Sequence, residues 1–227
     1  MKPKTRSIEQ IIEEQVRRWQ IIQTEEKKAD ERISVITISR EPGSGGNILG
    51  ERLSQQLQFD LFYQEFVHQM AESAHVSVRL LETLDEKGAS VLEEWISSLV
   101  DKRHLWPDRY LQHLMKIIGT IGKHGRAVIV GRGANFVLPP EKRISLRVIS
   151  PLETRIRNVS QAFGTAAAEA RSRILKTESD RKAFIKKYFN EDIQNPLNYD
   201  VIINTEDLSV DDAVNAVIGT LGHLSRT

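Results

Sequence analysis

A glycine-rich run and several arginines are the residues of this chain whose types and spacing could do chemistry. The run starts at Arg40 and ends at Asn47, directly after an apolar stretch at 33–39. Glycines let backbone N–H groups converge at the start of a helix, and such a turn binds phosphate. The candidate donor-phosphate ligands are therefore the six residues Arg40, Gly43, Ser44, Gly45, Gly46 and Asn47.

The run differs from a complete Walker A sequence, G-x-x-x-x-G-K-[ST]. That pattern requires a lysine after its last glycine, and Asn47 follows Gly46 here. The Walker lysine stabilises charge that develops on the γ-phosphate, a role that backbone amides fill less well. Arg40 stands at the first glycine of the pattern, and we hypothesise that it restores part of the lost charge. The competing interpretation is an ion pair between Arg40 and Glu41 or another carboxylate. Ser44 or Asn47 could add a side-chain contact to phosphate or to hydrated Mg²⁺.

Further arginines lie at the predicted ends of strands and along helices. One follows a glycine just past the predicted strand Ala127–Val130, at the sheet edge where parallel sheets bind ligands. Another follows a helix start that Ser150 could cap. Arginine offers planar, bidentate donors for phosphate, although a solvated basic turn or helix face is the simpler interpretation. The candidates are Gly131 with Arg132, then Arg155, Arg173 and Arg181.

The apolar pattern predicts the elements that must position these residues. Short runs rich in valine and isoleucine predict strands at about 33–39, 126–131, 143–149 and 199–204. Helical periodicity is found at about 47–57, 64–75, 89–103, 108–123, 151–162, 166–187 and 209–222. Strands that alternate with helices predict an α/β fold, a parallel sheet with helices on both faces.

The first 31 residues form a separate region, a predicted helix over about 7–30 with apolar residues at spacings of three and four. The apolar stripe either packs against the rest of its own chain or forms the contact of a homodimer, and both interpretations stay open. We therefore divide the chain into a helical extension, 1–31, and one domain, 32–227. Within that domain, two long polar helical stretches at 60–123 and 164–190 interrupt the alternation of strands and helices.

The composition excludes several classes of protein. Lys+Arg total 32 against 31 for Asp+Glu, so the chain has no large positive net charge that would attract nucleic acid. There is no cysteine, and the six histidines show no metal-ligand spacing, so we expect no protein metal site. No apolar run approaches the roughly 18 residues of a membrane span, and no signal-peptide core is present. We expect a cytoplasmic protein with no membrane partner.

Five segments together resemble the cytidylate kinase-like family of P-loop proteins, relatives of the nucleoside monophosphate kinases. The resemblance covers about residues 32–222, and members of this branch generally carry the same lysine-less loop. It implies a P-loop NTPase three-layer sandwich, ATP and Mg²⁺, a helical monophosphate-binding insertion at 60–123 and a lid at 164–190. The segments are ITISREPGSGGNILGERLSQQL, VIVGRGANFVL, LRVISPLETRIRNV, RILKTESDRKAFIKKYF and NYDVIINTEDLSVDDAV.

The resemblance also implies roles for the arginines. Gly131 and Arg132 match the pair that contacts the acceptor nucleotide, and Arg155 matches a phosphate-contacting arginine more loosely. Arg173 and Arg181 match lid arginines that close over the transferring phosphate, with Glu178 where the kinases have an acidic residue that orients the lid. The implied catalytic residues are Arg132, Arg173 and Arg181.

Gln64 stands where the family commonly has an acceptor-binding aspartate. An amide can hydrogen-bond a base or a sugar, but it cannot act as a carboxylate. The expected function is ATP-dependent phosphoryl transfer to a nucleoside monophosphate, cytidylate-like, or to a similar small acceptor. The alternative is a pseudo-kinase that has lost catalysis and acts as a nucleotide-binding or regulatory interaction protein, since lysine, Walker serine or threonine, and acceptor aspartate are all missing.

Overall fold

The structure, a computed structural model, describes residues 8–25 and 34–224. In these residues, five parallel strands form one sheet in the order β2-β3-β1-β4-β5. The strands are β1 (Val35–Arg40), β2 (Asp60–Tyr63), β3 (Ala127–Val130), β4 (Arg143–Ile149) and β5 (Val201–Asn204). The helices are α1 (Ile8–Glu25), α2 (Gly46–Leu57), α3 (Gln64–Glu72), α4 (Ala74–Leu81), α5 (Glu86–Arg103), α6 (Arg109–His124), α7 (Ala134–Val137), α8 (Leu152–Phe163), α9 (Ala167–Phe189) and α10 (Val210–Leu224).

The central strand β1 is paired on both sides and almost wholly buried, which explains its β-branched sequence. Its side chains alternate between the two faces. Ile36 and Ile38 pack with α2 and α10, while Val35 lies in the larger core built with α3 and α6. The predicted α/β fold with helices on both faces of a parallel sheet is therefore confirmed.

The structure has an edge strand, β2, that the sequence patterns do not predict. The patterns assign 60–123 to helices, yet Asp60–Tyr63 pairs in parallel with β3 along its full length. A four-residue edge strand with one fully buried residue has too little periodicity to stand out. The helical part of the insertion is four helices, α3 to α6, and Ser73 caps the break between the first two.

Helix α1 packs on its own domain, as the first of the two interpretations has it. Ile12 and Trp19 are buried in the larger core, and Gln15 and Arg18 contact the carboxylate of Asp60. The stripe is therefore used within the chain, and a homodimer through this helix stays a prediction. The proposed boundary near residue 31 lies outside the described residues. No helix in the described ranges is long and apolar enough to cross a membrane.

Candidate functional site: an arginine-lined cavity beside the glycine loop

The glycine loop connects the end of β1 to the start of α2, as the sequence predicts. Gly43 and Gly45 have φ values of 82° and 77°, so the backbone reverses its curvature within three residues. The first helical hydrogen bond runs from the Leu49 N–H to the Gly45 carbonyl. Since the first N–H groups of a helix have no acceptor within it, those of Gly46 and Asn47 are available to an anion.

Side chains from two later elements hold the carbonyls of this loop. Asn158 donates to the Gly43 carbonyl over 2.8 Å, and the Thr205 hydroxyl donates to the Ser44 carbonyl over 2.8 Å. In a trans peptide the C=O and the next N–H point in opposite directions. The Gly45 N–H therefore faces away from Thr205, and the loop is fixed before any ligand arrives.

Of the two side chains that could reach phosphate from within the loop, one is engaged locally. Ser44 is almost fully buried, and its hydroxyl donates to the Glu41 carbonyl over 2.9 Å. Asn47 accepts a hydrogen bond at Oδ1 from the Arg40 Nε over 3.0 Å. The loop therefore offers backbone N–H groups and, through Asn47, a link to the arginine before it.

Arg40 ends β1 and is 5% exposed. The ion pair with Glu41 that sequence reasoning weighed against the charge hypothesis does not form. Instead, Glu41 lies 3.4 Å from Arg155 and 3.8 Å from Arg147. Burial, and next the charge of Arg181, lowers the pKa of Arg40 to about 9. A buried guanidinium in such surroundings favours the arrival of an anion.

The turn after β3 carries Arg132 to the same edge of the sheet. Gly131, Arg132 and Gly133 all have positive φ, and 54° is an unusual value for arginine. Its Nε donates to the Gln64 carbonyl over 3.3 Å, and its guanidinium lies 5.1 Å from the centre of the Phe184 ring. Backbone strain of this kind is often found at functional sites.

Arg181 reaches this edge from α9, which lies over the sheet. Its Nη1 donates to the carbonyl of Arg40 over 2.7 Å. Its Nε is buried and has no hydrogen-bond partner among the described residues. Burial, and then the charge of Arg147, lowers its pKa to about 10. Arg40, Arg132 and Arg181, which the sequence reasoning selected, therefore lie at one edge of the sheet, and their roles stay predictions.

These three arginines line a cavity of about 260 Å³ between the strand ends and α9. Residues that the sequence reasoning did not select also line it: Thr37, Ser39, Asn135, Thr177, Asp180, Phe136, Phe184 and Tyr199. Tyr199 donates to the Ile193 carbonyl over 2.8 Å, and its hydroxyl oxygen also lies 3.2 Å from that of Ser39. Asn135 and Tyr199 both lie within the family segments, and that was the one signal that could have selected them. Gln64 lines the cavity too, and its amide nitrogen donates to the Glu65 carboxylate over 2.8 Å.

Arg155 and Arg173 are not brought to this cavity. Arg155 is 6% exposed and donates to the Ser150 carbonyl and to Glu178, both within 2.8 Å. It also lies near Glu41, so it connects the glycine loop to α9. Arg173 is exposed, and its guanidinium stacks on Phe163 at 3.9 Å. Acceptor binding by Arg155 and catalysis by Arg173 therefore stay predictions that this arrangement does not favour.

The donor set fits a polyphosphate better than a protein-held cation. No group of three or more histidine, aspartate or glutamate side chains in the described ranges could hold a metal ion. Asp180 is a carboxylate that lines the cavity, and Asn47 offers an amide oxygen already bonded to Arg40. Since Mg²⁺ usually retains water and binds through substrate phosphates, Asp180 and Asn47 are the side chains that could assist it.

A parallel sheet with a glycine loop after its central strand, and arginines at the carboxyl edge, defines an α/β fold of the P-loop kinase type. The chain belongs to the cytidylate kinase-like family, whose family model matches residues 35–207.

Curated relatives and a solved structure agree with this assignment. The cytidylate kinase of Methanocaldococcus jannaschii is 22% identical over 198 residues, 85% of this chain and 99% of the relative. That of Pyrococcus horikoshii is 26% identical over 194 residues, 84% of this chain and 89% of the relative. An uncharacterized protein from Eubacterium ventriosum has a similar fold, with a TM-score of 0.66 and 22% identity, covering 85% of this chain and 99% of that one.

Proposed function

We propose that this protein transfers the γ-phosphoryl group of ATP to a nucleoside monophosphate, cytidylate-like, or to a similar small phosphate acceptor. The observation that carries the proposal is the convergence of Arg40, Arg132 and Arg181 around a cavity at the end of β1, where the glycine loop begins. The curated cytidylate kinases at 22–26% identity support the same class of reaction.

In the proposed reaction, an oxygen of the acceptor phosphate attacks the γ-phosphorus, and the bond from that phosphorus to the β–γ bridging oxygen breaks. ADP leaves, and the acceptor becomes a diphosphate. No proton is exchanged when both phosphates are fully ionised. Phosphoryl transfer needs positioning and charge neutralisation more than covalent help from the protein. Bound Mg²⁺ would neutralise part of the charge on the donor phosphates.

The described side chains have distinct tasks in this proposal. The loop N–H groups hold the donor phosphates, and Arg132 holds the acceptor phosphate from the turn after β3. Arg181 lines the same cavity with a buried Nε that has no partner among the described residues, so it is available to bond the group in transfer. The polar wall of Gln64, Asn135 and Tyr199 would hydrogen-bond the acceptor.

The test is a thermal-shift titration of the purified protein with Mg·ATP, alone and with each nucleoside monophosphate, followed by an assay of ADP formation. Ligand at about 100 times its dissociation constant adds roughly 2.7 kcal/mol, or about 5–10 °C for a domain of this size. A shift with ATP that grows with one monophosphate, followed by turnover, is the expected result. The Arg132→Ala variant should lose the second shift, and Arg52→Ala, an exposed arginine of α2, should keep it.

One observation favours the second candidate function, a pseudo-kinase. The described residues lack both a lysine side chain in the loop and a carboxylate directly after β3, where Gly131 follows Val130. A pseudo-kinase would show the thermal shift with ATP but no ADP formation with any acceptor. No shift with any nucleotide at millimolar concentration would refute both nucleotide-binding proposals.

A further inference from the structure

The side chain of Arg40 covers two glycines, one at each of its ends. A Cβ added at Gly46 would lie 2.5 Å from the Cβ of Arg40 and 3.0 Å from its Cγ. A Cβ added at Gly131 would lie 2.5 Å from its Nη1. The first contact is with a Cβ, so Gly46 accepts no side chain while Arg40 lies there. The second is with the far end of a flexible side chain, so a side chain at Gly131 would displace the guanidinium, and the φ of +87° at Gly131 favours glycine in any case.

The Walker pattern has the opposite arrangement of residues at positions 40 and 46. Counted from Arg40 at the place of the first glycine, rather than from Gly46 as the last, the second glycine of the pattern is Gly45 and the lysine position falls on Gly46. The pattern therefore has glycine where this chain has arginine, and lysine where this chain has glycine. Since the stem of Arg40 runs directly over Gly46, the two side chains would compete for one space.

The surroundings of the Arg40 guanidinium point to an anionic ligand. It lines the cavity beside Arg132 and Arg181, and no carboxylate lies within ion-pair distance of it in the described part of the chain. The negative charge of Glu65 acts on it from a greater distance, against the like charges of three arginines. Its Nε is held by Asn47, which occupies the serine or threonine position of the pattern. A buried cation that is oriented by a neutral amide and has no carboxylate in contact with it is destabilising until an anion binds.

We propose that Arg40 binds the donor phosphates in place of the missing lysine, that Gly46 is present because Arg40 fills its space, and that Asn47 aims the guanidinium. The inference rests on the proposed function, because it concerns the same phosphate site. It differs from a merely structural role for Arg40, which would join β1 to the turn after β3 without affecting ligand affinity.

The first experiment compares Arg40→Lys and Arg40→Gln, which both keep a long stem, while only the first keeps the charge. The dissociation constants of ATP and of inorganic tripolyphosphate are measured by calorimetry, with Arg52→Ala as the control for loss of one charge from α2. A charge-assisted hydrogen bond to phosphate corresponds to about 10–100-fold in affinity. We expect Arg40→Gln to bind both probes at least about tenfold more weakly than Arg40→Lys.

The second experiment moves the positive charge from position 40 to position 46. Arg40→Gly clears the space over Gly46, because the shortest contact there is with the Cβ of Arg40. The double variant Arg40→Gly/Gly46→Lys then returns a cation from the Walker position. We expect the double variant to recover at least about tenfold in tripolyphosphate affinity over Arg40→Gly. Gly46→Lys alone should lose thermal stability because its Cβ would meet Arg40.

Each outcome separates this inference from the proposed function. If the unchanged protein binds neither probe, the proposed function and this inference both fail. If it binds them and Arg40→Gln binds as well as Arg40→Lys, the inference alone is overturned. A double variant no better than Arg40→Gly would overturn the exchange of positions. Should Arg40→Gly fail to fold, the lysine and glutamine pair still decides the question.

Discussion

Replacing Arg155 and Glu178, separately and together, tests whether they connect the glycine loop to α9. Arg155 is 8% exposed at its side chain, Glu178 is 21% exposed, and their N–O distance is 2.7 Å. Removing one partner of a fully buried ion pair costs about 3–5 kcal/mol, and exposed pairs contribute about 0.2–1 kcal/mol. The partial exposure of Glu178 places this pair between those limits.

The two single variants should differ in their cost. Arg155→Met leaves both Glu178 and Glu41 without their nearest guanidinium, so we expect a loss of about 3 kcal/mol, or about 6–12 °C in Tm. Glu178→Gln keeps an oxygen for Arg155 to bond and should lose about 1–2 kcal/mol. Because the residues touch, the double variant should be about 1 kcal/mol or more better than the sum of the two losses.

The assay is urea unfolding of all four proteins, with the nucleotide thermal shift as a second measurement. If the connection is structural, both single variants lose stability and retain most of their affinity for ATP. Additive losses, within about 0.5 kcal/mol, would refute the pairing. Loss of nucleoside monophosphate affinity in Arg155→Met, but not in Glu178→Gln, would instead return Arg155 to the acceptor-binding role that the family resemblance implies.

Two further predictions concern stability. Burial lowers the pKa of His124, stacked on Trp19, to about 4. In the unfolded chain the pKa of this histidine has its ordinary value near 6.5, so below pH 6.5 the unfolded chain binds more protons than the folded one. The free energy of unfolding therefore falls by up to about 1.4 kcal/mol per pH unit from pH 6.5 towards 4. His124→Phe should flatten this fall in urea unfolding at pH 7 and 5, and an unchanged fall would contradict the assignment. Gly133→Ala should lose about 2–4 kcal/mol because its φ is +66° and the new Cβ would meet Phe189 at 2.3 Å. Gly164→Ala, at φ +64° with open space, is the control and should lose only about 1 kcal/mol in the same assay.

The sequence predicts the central part of this fold well because the physical signal there is strong. Three of the five described strands, β1, β3 and β4, are rich in valine and isoleucine and buried on both faces, and β1 is the clearest of them. β5 has the same residue types but is buried only in part. The edge strand Asp60–Tyr63 was missed because it is short and mostly half-buried. Its pairing with β3 is a tertiary contact, which no local pattern can show.

The site was predictable where a residue ends an element and less so within a long helix. Arg40 and Arg132 end strands or follow them, and the edge of a parallel sheet collects such residues. Arg173 and Arg181 share a helix, but eight residues correspond to about 12 Å along its axis. The glycine loop is adjacent to α9 at Arg181, while Arg173 lies against Phe163. Sequence alone does not determine where along its length a helix meets the site.

The sequence offers one reason for the glycines of the loop, a phosphate-binding turn, and the structure adds a second, the space that Arg40 occupies. Gly45, in the left-handed region with open space beside it, suits the phosphate-binding turn that the sequence predicts. Gly46 is instead the place where Arg40 needs room. If that is the reason for it, lysine at position 46 and arginine at position 40 exclude each other in related chains, since one space cannot hold both stems. A folded relative with both residues would contradict the steric argument even if its phosphate site were active.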